Sequence, residues 1–304
     1  MRYCLALLCV LAAQGPVTVG STRAEWSKPD VSWSPSRPIQ GTIVQFTLRP
    51  DRLGSWSNIV AVEGVLEDQP LHFERAHDGH FHALAGIPIY AQDSIAVELT
   101  LWRAAGAREH LTRYVPVERG TFSVAQLRVD PRYVEPPDSA LALRIVAERD
   151  SVRRVVQRSH STPRIWGDRF VLPRDSRVTS GFGQRREFNG EYRSTHMGLD
   201  LAGHVGAPVA ATNRGVVVLV SDFYYSGKLV YLDHGQGLLT AYLHLSETFV
   251  AVGDTVGRGE PIGRVGASGR VTGPHLHWTA RYGAVIVNPR SLLELDVSFL
   301  TGGS

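Results

Sequence analysis

Cysteine is nearly absent from this chain, and the two it has, Cys4 and Cys9, fall within the first nine of 304 residues. Whatever follows them must fold without disulfides and cannot offer a thiolate to a metal. Long apolar runs are missing too, since no stretch beyond the amino terminus approaches the roughly 20 residues that span a bilayer. Dense lysine and arginine runs, zinc-finger spacing and interleaved aromatic stripes are also lacking, so no nucleic-acid partner is expected. The formal charge of +3 and pI near 9.0 are only mildly basic. They suit a polyanionic partner without demanding one, and an ordinary solvated surface accounts for them.

Arg2, followed by the apolar Cys4 to Ala13, has the length of a signal-peptide core and is too short to cross a membrane. Thr18-Val19-Gly20 supplies small residues for cleavage before Ser21, with a later cut near Ala24 as the alternative. Leu7 and Leu8 stand where a lipid-attachment motif at Cys9 would need small residues, so no lipid anchor is expected. Residues 1–20 are therefore predicted to be a secretion signal, leaving a mature chain with no membrane span.

After Trp26 to Pro38, a Pro- and Ser-rich stretch expected to be extended, strand patterns begin. Thr42–Leu48, Ile59–Leu66, Ile95–Trp102 and His110–Val117 are β-branched and aromatic or alternate at period two. Short strands broken by Pro and Gly predict an immunoglobulin-like β-sandwich over residues 25–135, acting as a spacer or docking module. Within it, His77-Asp78-Gly79-His80-Phe81-His82 tempts a metal reading. Asp78-Gly79 is a hairpin-turn dipeptide, however, and the turn is the preferred assignment. Pro136-Pro137-Asp138-Ser139 then breaks the pattern, and Leu141, Ile145, Val152 and Val155 recur at helical spacing. This predicts a linker over 136–164 with a helix from about Ser139 to Gln157, separating two domains, its arginines forming a solvated face. Of the 30 glycines, 21 lie after residue 160, which predicts many tight turns between short strands over 165–292, with a tail at 293–304.

The candidate chemistry lies in that second half. His196 and Asp200 are four apart with Gly198 between them, a spacing that puts both on one face of a strand or one turn apart on a helix. Alone, the pair reads equally as a turn hydrogen bond or a solvated face. In Gly273-Pro274-His275-Leu276-His277-Trp278 two histidines at i and i+2 share a strand face about 7 Å apart. His277 with His196 and Asp200 would form the two-imidazole, one-carboxylate set that leaves a zinc position open for water, with His275 beside it. In Thr240-Ala241-Tyr242-Leu243-His244 an apolar run ends at a histidine that could face the same position, or could be a capped strand end. The run Val216–Val220 suits a buried central strand, His234 a structural turn residue and His204 an exposed loop, while His72, His110 and His160 have no partner spacing.

Taken together, H-x-x-x-D, then Y-x-H-L-S, then G-P-H-L-H-W resembles the lysostaphin-type (M23, or LytM-domain) zinc metalloendopeptidases. Val178–Arg186, Gly206–Val209 with Ala211–Gly215, and Val252–Gly263 resemble the segments that surround those motifs. The resemblance covers about residues 165–292 and implies a LytM-type antiparallel β-sheet peptidase domain. It also implies Zn²⁺ held by His196, Asp200 and His277, a base and an oxyanion stabiliser drawn from His275 and His244, and peptide bonds of peptidoglycan stems or cross-links as substrate. We assign His275 as base and His244 as stabiliser, although the residues leave that division open. Asn189 and Arg193, just before the first ligand, are expected to meet a carbonyl or carboxylate of the stem, or else to be structural loop residues. A metal-free wall-binding module, or an activator of another hydrolase, is the alternative, but such members lack ligands that are all present here. The signal and the sandwich-helix-peptidase layout look like those of exported members, implying a Gram-negative periplasm, with release from the cell as the other destination.

Overall fold

The computed structural model describes residues 30–50, 59–104, 106–190 and 192–300. The expected signal at 1–20 lies outside them. The amino-terminal half folds as two four-stranded antiparallel sheets. One sheet has the order β1-β2-β6-β5, from β1 (Asp30–Ser34), β2 (Ile43–Arg49), β5 (Glu74–Arg75) and β6 (Phe81–Gly86). The other has the order β4-β3-β7-β8, from β3 (Ile59–Leu66), β4 (Gln69–His72), β7 (Ser94–Arg103) and β8 (Arg108–Pro116). Period-two alternation explains the layering: Ile95, Val97, Leu99 and Leu101 of β7 point inward and are buried, while the residues between them are not. The Asp78-Gly79 turn forms as expected, with Gly79 at φ 79°. Asp78 gathers His80 Nδ1 at 3.1 Å and His82 Nε2 at 2.9 Å, an arrangement in which both imidazoles can donate to one carboxylate without an ion.

The second half is a ten-stranded sheet whose main path runs β10-β13-β20-β17-β16-β15-β18. Its members on that path are β10 (Val178–Ser180), β13 (Leu199–Ala202), β15 (Gly215–Phe223), β16 (Gly227–Gly235), β17 (Leu238–Thr248), β18 (Thr255–Val256) and β20 (His275–Tyr282). β14 (Pro208–Ala210), β19 (Pro261–Val265) and β21 (Val285–Val287) pair off that path. The aliphatic run at Val216–Val220 is a strand but not a central one. It lies in β15, next to the two-residue β18, and within it only Val217 is fully buried. His234 does hold its turn, through Arg214 O at 2.7 Å and Thr240 Oγ1 at 2.8 Å, and His204 is exposed.

The two faces of this sheet have different fates. Leu276, Trp278, Ala280 and Tyr282 of β20 are buried in a core continuous with that of the sandwich. The sandwich is therefore packed on the apolar back of the sheet rather than held away from it. A Cβ at Gly86 would lie 3.0 Å from Val287, so glycine is what lets β6 approach β21. Tyr282 Oη donates to Pro70 O, and Arg164 pairs with Glu74 at 2.9 Å.

The other face carries His275 and His277, and at its far end it is covered by a helix, α1 (Ser139–Ser159). Asp138 caps it by accepting from Leu141 N at 2.8 Å, worth about 1 kcal/mol. The helix extends two residues past the expected end and is not a free separator: Val156 packs with Leu229, Tyr231, Leu239 and Ala241 of the sheet. Burying one such valine contributes roughly 1.5–3 kcal/mol. Among the described residues no helix is long and apolar enough to cross a membrane. The expected tail is not loose where described: α2 (Arg290–Leu293) and Leu295 bury apolar side chains, and Phe299 stacks on His82 at 4.2 Å.

His72 and His160, for which spacing offers no partner, meet across the junction between the halves, Nε2 to Nδ1 at 2.9 Å. Burial lowers both from their ordinary 6.5, with Glu74 opposing at His72 and His72 adding to the effect at His160. The fold thus favours neutral rings, while the unfolded chain takes up protons at the ordinary value. Stability from this pair is complete above about pH 6.5 and is lost as pH falls towards the lowered native values. A His72→Gln/His160→Gln protein should therefore lose less Tm than the parent between about pH 7.5 and about pH 5, the remaining slope coming in part from buried His234, which is lowered to about 4. Identical slopes would rule out this coupling.

Candidate metal centre

Asp200 and His277 are directly opposed partners on the antiparallel strands β13 and β20, so the ladder itself puts both side chains on one face. His196 enters just before β13, its backbone gripped by Gly183 N and Gln184 O. The three side chains meet tightly: His196 Nε2 to Asp200 Oδ1 is 2.9 Å, His277 Nδ1 to the same oxygen 2.8 Å, and the two nitrogens are 2.9 Å apart. All are largely buried.

Their outer hydrogen bonds determine what faces inward. His196 Nδ1 lies 2.7 Å from Gly181 O, and a carbonyl can only accept, so Nδ1 carries a proton and Nε2 is the nitrogen a neutral ring would present as a lone pair. His277 Nε2 lies 2.9 Å from Thr279 Oγ1, whose own hydrogen goes to Met197 O, so Nε2 carries the proton and Nδ1 is bare. Burial keeps His277 neutral, at about 4, despite the Asp200 carboxylate beside it. Burial also opposes ionisation of Asp200. The Arg186 guanidinium, a permanent cation 2.6 Å from Oδ2, favours the carboxylate. Three unprotonated donor atoms therefore converge with no proton to share. Such a set repels itself unless a cation lies among them, and two imidazoles with one carboxylate form the donor set of a catalytic zinc site.

The other two histidines adjoin this centre. His275 donates Nδ1–H to Gly273 O at 2.8 Å and brings Nε2 within 3.5 Å of Asp200 Oδ1. His244 donates Nδ1–H to Ser268 O at 2.8 Å, and its ring centroid is 5.1 Å from that of His275. Burial first, then His277 and His275, lower His244 to about 3, so it is neutral at rest. Regular alternation would turn His244 away, because Leu243 is the residue opposite His277. A register shift in the β16–β17 pairing and a left-handed backbone at His244, φ 63°, redirect it to the site.

Of the expected substrate residues, Asn189 is otherwise engaged. Its side chain accepts from Val129 N at 3.0 Å and donates to Val129 O at 3.1 Å, clamping the strand that joins the two halves. Arg193 pairs through its backbone with Glu187, and its side chain lies outside what is described. Sequence reasoning missed Thr279, although it follows His277 at period two and so shares its face. It also missed Gly198, where a Cβ would come within 2.6 Å of His277 Nε2. Arg186 gives no sequence signal that separates it from Arg185.

Residues 194–289 match Peptidase family M23. The chain is 38% identical over 128 residues to peptidoglycan DD-endopeptidase ShyC of Vibrio cholerae, covering 41% of this chain and 29% of that protein. It is 40% identical over 117 residues to the DD-carboxypeptidase/endopeptidase Mpg of Neisseria meningitidis, covering 38% and 27%. It thus spans under a third of the length of these curated relatives. A crystal structure from Pseudomonas aeruginosa assigned to peptidase M23 superposes with TM-score 0.62 at 26% identity, covering 84% of this chain and 94% of that one.

In Gly198→Ala the Cβ would meet the His277 ring at 2.6 Å and the Trp278 carbonyl oxygen at 2.7 Å, so the variant should shift both ring and strand and weaken divalent-ion binding on the order of 10–100-fold in a chelator competition. Unchanged affinity would mean that the glycine does not keep the ligand in place.

Proposed function

We propose, from the premise that residues 194–289 are a Peptidase family M23 domain, that the protein is a zinc-dependent endopeptidase cutting peptide bonds in peptidoglycan stems or cross-links. The observation that carries this reading is the convergence of His196 Nε2, His277 Nδ1 and Asp200 Oδ1 as bare donors, with two further imidazoles beside them. When bound, zinc would polarise a scissile carbonyl and lower the pKa of a water towards about 7. The substrate class is supported by the names of ShyC and Mpg.

The protein's own part is proton handling. His275 and His244 each anchor Nδ1–H on a backbone carbonyl and present an unprotonated Nε2, so each can receive a proton. His275 is the base, being next to the ligands and keeping 16% side-chain exposure, which gives water a path to it. His244 is the stabiliser, a role that needs its charged form. The one proton available for that form is the proton His275 takes from water; passed to His244 Nε2, it gives an N–H that can donate to the tetrahedral oxygen and then go to the departing amine. The proton released by water is the one the departing amine requires, so the pair returns to its starting state. The amino-terminal signal pattern and a wall substrate both favour an exported, periplasmic protein.

Purified protein should hold about one zinc per chain and release peptide fragments from muropeptides, stopping when a chelator is added. His275→Ala should keep the zinc and lose about 10²–10⁴-fold in rate. Zinc-replete protein that leaves every purified wall type intact would overturn the enzymatic reading in favour of a wall-binding module or an activator of another hydrolase.

A further inference from the structure

Arg186 has no place in the proton chemistry, yet it touches a ligand. It lies in β11 (Arg185–Phe188), which forms a hairpin with β12 (Tyr192–Thr195) and pairs in parallel with β9 (Val124–Leu127), part of the segment joining the two halves. Its Nη2 donates to Asp200 Oδ2 at 2.6 Å and to Ser180 Oγ at 2.9 Å. Ser180 in turn donates to Gln184 Oε1 at 2.8 Å, fixing which way its oxygen accepts. The ion pair is shielded, with side-chain exposures of 17% and 8%, and Nε of Arg186 is buried with no partner. A buried guanidinium with an unsatisfied nitrogen is a costly arrangement, retained here where it serves one oxygen of one carboxylate.

The two oxygens of Asp200 thus have separate environments. Oδ1 faces His196, His277 and His275, while Oδ2 is turned into Arg186. A carboxylate can bind an ion through one oxygen or both, and using both would fill the place a water needs. We propose that Arg186 is a positioning residue that holds Asp200 to a single metal bond by occupying Oδ2, so that the fourth place at the ion stays open. This rests on the metal-centre part of the functional reading and adds a residue that acts through a ligand. The parallel pairing of Arg186 with Ala125 means the joining segment sets where the guanidinium stands.

The test uses the full chain loaded with cobalt(II), whose visible bands are strong when four-coordinate and several-fold weaker with an added ligand. Arg186→Met should keep about one ion per chain, lose band intensity several-fold, and lower kcat on a muropeptide about 10–100-fold at unchanged KM. Arg186→Lys, which can still reach Oδ2 with one donor, should recover most of the intensity. Ser180→Ala, which removes the arginine's second anchor, should fall between the two, and it keeps the test open if Arg186→Met does not fold. Bands and kcat like those of the parent in folded Arg186→Met would overturn the proposal. So would complete loss of the ion, which would make the arginine a requirement for binding. If the parent cuts no muropeptide, the functional reading fails while the cobalt spectra still decide the role of Arg186.

Discussion

Asp200 Oδ1, His196 Nε2 and His277 Nδ1 stand within 2.9 Å of one another, each stripped of a proton by a hydrogen bond made on its far side or by ionisation. In a buried setting that convergence is unfavourable on its own. The chain accepts it because neighbouring groups leave no alternative. Gly181 O fixes the tautomer of His196, Thr279 and Met197 fix that of His277, and Arg186 keeps Asp200 charged. These partners come from β20 and from the segments around β10, β11 and β13. The carboxyl-terminal sheet is in this sense a frame that holds mutually repelling atoms in place.

Because Asp200 and His277 are opposed across one ladder, a one-residue slip of β13 against β20 would turn one of them to the opposite face. Register is enforced from behind. Leu199, Leu201, Leu276 and Trp278 are buried on the other face, in a core that runs on into the sandwich. Packing of the amino-terminal half thus bears on the ligand geometry, through apolar burial on the back of the sheet and through the parallel β9–β11 pairing in a separate three-stranded sheet that carries Arg186.

What could be read from the sequence followed local periodicity. His275 and His277 at i and i+2, and His196 and Asp200 around a glycine, are patterns whose geometry is set within a few residues, and the structure brings those four side chains together. His244 is different: alternation predicts that it faces away, and only the bulge with its left-handed residue turns it. Helix α1 was legible as a helix because Leu141, Ile145, Val152 and Val155 recur at helical spacing, but an apolar stripe does not state which surface it will cover. Asn189 and the His72–His160 pair depend on contacts 60 and 88 residues apart, a separation that no motif encodes.

That same helix limits how far a ligand can extend. Ala241 lies opposite Thr279, two residues along β20 from His277 and so about 7 Å away. From Ala241 onward the floor is shut: Ala241 and Leu239 have no exposed surface, and Val156 packs over this part of the sheet. The helix-covered part of the sheet thus begins about two extended residues from His277 along β20.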